Sequence, residues 1–176
     1  MSEFEHEKEK QEQKEQKRHD RLDVQSEISN IEYRYYPYDP DRKYIVGSDG
    51  SIITSKNGLV HDSHKISPSG YRIESITICG EDIDIATQRI VAQTFLNLPF
   101  DAKHLIHVHH LREWDKLDNS VYNLICCLGS LHKMIHMRYD ERDPKDLLQR
   151  LAICKEILGL NYFYYPDTWV AMMRDN

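Results

Sequence analysis

The sequence predicts an α+β fold: a strand-rich module near the N-terminus, then a β-hairpin running into a helix, then a C-terminal helix. Three observations carry that expectation. Between Lys43 and Ile85, short apolar stretches alternate with glycine-containing turns, the pattern of antiparallel hairpins. From His104 to His136 the chain reads as two strands followed by a helix, with histidines at the end of the first strand and on the helix. From Asp143 to Gly159, apolar residues recur at helical spacing between a start signal and a stop signal.

Length and composition bound the possibilities. A chain of 176 residues, 40% hydrophobic and 30% charged, suffices for one core with appendages and has the balance of a soluble globular protein. No run approaches the roughly 20 apolar residues that span a bilayer, so no membrane role is expected. The N-terminus lacks an apolar signal core, so an intracellular rather than secreted location is expected. Cys79, Cys126, Cys127 and Cys154 form no C-x-x-C pair and read as thiols in a reducing compartment. A net charge of −6 argues against a protein that coats nucleic acid by charge alone. Half of that charge lies in residues 1–30, with 9 acidic and 6 basic side chains, which softens the objection for the remainder.

Taken in order, residues 1–30 are almost entirely Glu, Lys, Gln and Arg and cannot bury enough apolar surface to offset the entropy of ordering. They read as a solvated arm, a tether or a site for a protein partner. Residues 31–43 are rich in Tyr and Pro, with Pro37 and Pro40 disfavouring helix. They are expected to run extended and pack their rings on the domain edge. KYIVGSDGSIITS reads as a hairpin turning at Ser48-Asp49-Gly50, and SPSGYRIESITICGEDIDIA as a second turning at Gly80-Glu81-Asp82. His61 and His64 fall in the intervening loop, where isolated histidines are usually just solvated.

TQRIVAQTFLNLPF reads as a helix with Ile90, Val91, Thr94, Phe95 and Leu98 on one face, ended by Pro99. HLIHVHHL and VYNLICCL read as paired strands joined by the loop REWDKLDNS, and Ser130 as the cap of the next helix. Asp143 is the expected cap of the C-terminal helix, with Leu147, Leu148, Leu151, Cys154 and Leu158 as its apolar stripe and Gly159 just past its end. The aromatic tail NYFYYPDTWV is expected to pack back on the body. The domain organisation is therefore 1–30 as arm, 31–136 as the main domain, with a module at 43–98 and a hairpin-helix motif at 104–138, and 139–176 as C-terminal helix and tail.

The chemistry concentrates between His107 and His136. His132 and His136 are four residues apart, so a helix sets them one turn apart on one face, the spacing at which two imidazoles hold one divalent metal. A third ligand has to come from elsewhere, and the His109-His110 pair is the obvious donor; with two neighbouring histidines, one can bind metal while the other stays free as a general base. Lone histidines are more often satisfied core or surface residues, and His104 and His107 are read that way.

These residues resemble the HNH endonuclease family, whose core is a β-hairpin and helix around one metal, the ββα-metal motif. The Asn-Leu of that motif matches Asn123-Leu124, with His132 nine residues further on and His136 four beyond that. His110 matches the first His, and His109 stands where the family has a metal ligand. The double His, the Asn and the His-x-x-x-His are especially similar to nuclease domains of the colicin type. KYIVGSDGSIITS and SGYRIESITICGEDIDIATQRIVAQTFL resemble the strand-rich module that precedes the motif in phage and intron-encoded homing endonucleases, and the likeness spans about residues 43–136. Three positions depart from the pattern. The frequent C-x-x-C pairs are absent, so no structural zinc is expected; Gln88 replaces a His; and Leu111-Arg112-Glu113 replaces an acidic glycine turn.

The resemblance implies a metal-dependent endonuclease that hydrolyses phosphodiester bonds of DNA, carried by a phage, a large virus or a mobile element, and working in the host cytoplasm or nucleus if viral. His109, His132 and His136 would hold one divalent metal ion, Mg, Mn, Zn or Ni; three imidazoles favour Zn or Ni over the oxygen-seeking Mg. His110 would serve as general base, since its ordinary pKa of about 6.5 suits neutral pH. Asn123 would hold the hairpin by hydrogen bonds to its backbone, and Arg89, Arg112 and Arg138 are candidate phosphate contacts. The alternative is a catalytically retired member of the same fold that binds nucleic acid or protein.

Overall fold

The computed structural model describes residues 31–159, and the elements below lie within them. The expectations for the charged arm and for the aromatic tail fall outside the described residues. The mixed strand-and-helix class is as expected.

Three strands make the first sheet: β1 (Tyr33–Tyr35), β2 (Tyr44–Gly47) and β3 (Ile52–Thr54), in the order β1-β2-β3. The β2–β3 hairpin turns where the sequence places it, with Gly50 at φ 87 and the Gly47 amide bonded to the Ser51 carbonyl at 2.8 Å. β1 forms in the Tyr-rich segment by pairing antiparallel with β2, Tyr33 opposite Gly47. Its two outer rings, Tyr33 and Tyr35, stay exposed, while Tyr36 is fully buried and donates its hydroxyl to Gln93 Oε1 at 2.6 Å.

The second sheet is β4 (His64–Ile66), β5 (Arg72–Ile78) and β6 (Glu81–Ala86), in that order. The β5–β6 hairpin is the expected one. β4 corrects the loop assignment of His64: this exposed triplet is held by backbone pairing to β5, His64 opposite Glu74, and no apolar alternation marks it in advance.

Helix α1 (Thr87–Phe95) buries Ile90, Val91, Ala92 and Phe95 between the sheets. It stops earlier than Pro99 suggests, because Asn97 adopts a left-handed φ of 53, yet Leu98 is still fully buried. After a 3-10 turn at Ala102–His104, β7 (Ile106–His110) pairs antiparallel with β8 (Leu124–Leu128), and β8 runs directly into α2 (Gly129–Arg142). Ser130 makes no cap; Leu128 occupies that position with no side-chain bond. Asp143, expected to open the last helix, instead closes α2 at φ 46, and Asp146 caps α3 (Leu147–Leu158) by accepting from the Gln149 amide at 2.9 Å. Leu148 of the predicted stripe faces solvent; Leu151, Ile153 and Cys154 face inward. No helix among the described residues is long and apolar enough to cross a membrane.

The β7–β8 ribbon has apolar packing on both faces, and this organises the site. Leu124 and Cys126 point into one core, shared with α1 and the first two sheets. Ile125 and Cys127 point into a second, shared with α2 and α3 through Ile135, Tyr139, Leu151 and Cys154. Strand side chains alternate, so cross-strand partners share a face. His109 lies opposite Ile125 and His107 opposite Cys127, on the α2 side, whereas His110 lies opposite Leu124, on the other.

Candidate metal centre

The α2 face of the ribbon gathers three imidazoles. His132 Nε2 lies 3.1 Å from His109 Nδ1 and 3.0 Å from His136 Nε2, and the candidate ligand atoms of all three lie within 4.8 Å of one another. Ligands about 2.0–2.1 Å from a tetrahedral metal stand about 3.3 Å apart, so the two short separations are close to those of a shared ion. The donor chemistry agrees. Burial drives the His109 imidazole well below its usual pKa, and its histidine neighbours add to this; burial and then the His136 charge bring His132 down to about 4. Both rings therefore offer neutral lone pairs at neutral pH, the form a metal takes. The residues fit a divalent ion.

The outer nitrogens set the tautomers. His136 Nδ1 pairs with Glu113 Oε1, so a proton on Nδ1 leaves Nε2 free to face the cluster. His132 Nδ1 lies 3.1 Å from Nδ1 of His107, which orients the second ring in the same sense. His107, read from the sequence as a satisfied core or surface residue, is thus part of the site. Its signal was present in the sequence: it shares strand parity with His109. Gly129 makes the contact possible, since a Cβ there would sit 3.0 Å from His107 Nε2.

His110 does not join this cluster. Its ring faces the opposite side of the ribbon, 4% exposed, with the Tyr71 ring centroid 5.7 Å away. Its Nε2 lies 3.1 Å from Asn119 Oδ1, while Asn119 Nδ2 donates to the Leu117 carbonyl at 3.1 Å, which fixes the amide with its oxygen toward the histidine. An amide oxygen only accepts, so Nε2 carries the proton and Nδ1 keeps the lone pair. Burial lowers the pKa of this ring too, partly offset by the Asn119 contact. Asn119 is a second residue the sequence reading missed. It is set by the upstream module: Gly50 packs so closely that a Cβ there would lie 2.8 Å from the Asn119 carbonyl carbon, and Ser48 accepts from the Val121 amide.

Asn123 sits as expected at the base of the loop. Its Oδ1 accepts from the Arg112 amide and its Nδ2 donates to the Asp118 carbonyl, both at 2.8 Å, which closes the segment between the two strands. The three arginines divide. Arg89 corrects its assignment as a phosphate contact: its Nη1 donates to the Ile106 carbonyl at 3.0 Å and its Nη2 is buried, so it braces α1 against β7. Its position on an amphipathic helix gave no sign of which way the guanidinium turns. Arg112 pairs with Asp118 and Arg138 with Glu141, both at the surface.

The depressed histidines predict a pH-dependent stability for the metal-free protein. The folded chain holds His109, His110 and His132 below the ordinary value of about 6.5, so the unfolded chain binds more protons as the pH falls. Their contribution is complete above pH 6.5 and is lost as the pH falls from there toward 4. Thermal melts in a chelator are expected to give a lower midpoint at pH 5 than at pH 7.5; a flat profile would contradict the burial of neutral imidazoles.

No family profile matches the chain. It is 26% identical over 102 residues to an uncharacterized HNH endonuclease of Acanthamoeba polyphaga mimivirus; the match covers 58% of this chain and 29% of the relative. The chain therefore spans less than a third of the length of that curated relative. Among solved structures it resembles the HNH homing endonuclease I-HmuI, described for DNA binding and cleavage, with a TM-score of 0.50 and 21% identity over 70% of this chain and 66% of the other. The chain is thus similar in sequence to one HNH endonuclease and in fold to another.

Proposed function

We propose that the protein is a metal-dependent DNA endonuclease of the HNH family. The observation that carries the reading is the convergence of His109, His132 and His136, three imidazole donors on one face of a hairpin and helix. A divalent metal held there supplies charge neutralisation at a phosphate, with Zn or Ni suiting imidazoles better than Mg or Mn. His110 is the proposed base. Its neutral form and its Asn119-anchored Nε2 leave Nδ1, which has no hydrogen-bond partner among the described residues, to take a proton from water. The residue as a whole is 4% exposed, with the Tyr71 ring beside it. Asn123 keeps the loop closed so that His110 and the cluster stay at fixed positions on the two faces of one ribbon. Arg112 and Arg138 can exchange their surface carboxylates for phosphates at little cost, because exposed ion pairs are weak.

The covered state of His110 favours a second reading, a non-catalytic protein of the same fold that binds nucleic acid or protein. Supercoiled plasmid incubated with the purified chain separates the two. Nicked or linear product that depends on Zn, Ni, Mn or Mg and disappears in a chelator is expected. Intact plasmid under every metal, together with tight binding of one metal per chain, would leave the binding reading.

A further inference from the structure

We propose that Glu113 and Arg150 form a positioning relay that extends the metal centre into the C-terminal helix α3, beyond the hairpin and helix that carry the ligands. The proposal rests on the reading of the three histidines as a metal site. Glu113 lies three residues past the end of β7, and its two carboxylate oxygens face different partners. Oε1 meets His136 Nδ1, and Oε2 accepts from Arg150 Nη1 at 2.7 Å. Arg150 comes from α3 and is no ordinary surface arginine. Its side chain is 10% exposed, and its guanidinium lies over the Tyr139 ring at 4.4 Å and the Trp114 ring at 4.7 Å. The same Nη1 donates to the Leu111 carbonyl at 3.2 Å, one residue past His110.

The chemistry follows from these contacts. A carboxylate at the outer nitrogen of a ligating imidazole holds the proton on Nδ1, aims the Nε2 lone pair inward and makes it a better donor. Alone, a partly exposed carboxylate on a loop would sample several rotamers. Arg150 removes that freedom: stacked between two rings and bonded to a backbone carbonyl, it offers a fixed cation to the second oxygen. An amide at position 113 cannot replace the carboxylate. Only one of its two ends accepts, so either His136 or Arg150 loses its acceptor. The simpler alternative is a tether that joins α3 to the loop and contributes only to stability.

The full-length protein titrated with cobalt(II), followed by visible absorption, tells these apart. Glu113→Gln is expected to weaken cobalt binding roughly 10–100-fold, the usual cost of losing an outer partner of a ligand. Arg150→Lys keeps the charge but not the fork and is expected to fall between Glu113→Gln and the wild type. The Glu113→Gln, Arg150→Lys double variant is expected to lose no more than Glu113→Gln alone, because the two residues act as one unit. Melting each variant in a chelator reports stability separately. A lowered metal-free midpoint with wild-type cobalt affinity in Glu113→Gln overturns the relay in favour of the tether and leaves the metal site standing. If the wild type binds no cobalt, both the relay and the metal site are overturned.

Discussion

Replacing His132 by alanine is expected to abolish metal binding and to reduce cleavage to background. His132 is the middle of the cluster, the one ring whose Nε2 lies within 3.1 Å of both other donors. Removing it leaves His109 and His136 without the group that links them. The loss is expected to exceed the factor of about 100 that marks the upper range for outer-shell changes. Thermal melts check this without relying on activity. A ligand that binds only the folded state stabilises it by RT ln(1 + [L]/Kd), about 2.7 kcal/mol at 100 times Kd. The wild-type midpoint is therefore expected to rise on adding Zn or Ni, and that of His132→Ala to stay where it is. The metal-free variant should itself be well folded, since the deleted ring is only half-buried and its crowding with other imidazoles is relieved. A metal-induced shift that survives in His132→Ala would rule out the three-histidine site.

His110→Gln is expected to separate the two faces of the ribbon. Cleavage should fall by about 10²–10⁴-fold, the range for loss of a general base, while the metal-induced rise in midpoint is kept. The expectation comes from strand parity: His110 and His109 are neighbours in sequence but project to opposite sides, and His110 touches Asn119 and Tyr71 rather than the cluster. Glutamine retains a polar group toward Asn119 and limits the cavity that alanine would leave at a buried site. Equal loss of metal binding and cleavage would make His110 a structural support of the centre. Unchanged cleavage would remove it from the chemistry altogether.

The correspondence between sequence and structure follows the range of the interactions involved. Both hairpins of the upstream module, β5–β6 and β2–β3, turn where Gly80 and Gly50 stand, because a left-handed backbone and short apolar runs are local properties. The pairing of β7 with β8 was equally legible, as both stretches carry bulky apolar residues and are joined by a polar loop. The caps were not. Asp143 and Asp146 are both competent N-caps three residues apart, and the turn between α2 and α3 chose the second. β4 has no pattern of its own and exists through its neighbour.

The amino-acid sequence by itself determined the class of fold, the His-x-x-x-His on a helix, the candidate third ligand and the Asn that closes the loop. Each depends on residue type at fixed spacing, and spacing along a helix or strand translates directly into a shared face. Tertiary structure alone decided that His110 is covered, that Arg89 braces a strand, that Asn119 and Gly50 hold the second histidine, and that His107, Glu113 and Arg150 belong to the surroundings of the first. Those assignments depend on which side chains from distant segments meet across a packed core. Residues 113 and 150, or 50 and 119, carry no mark in sequence of the neighbour that burial gives them.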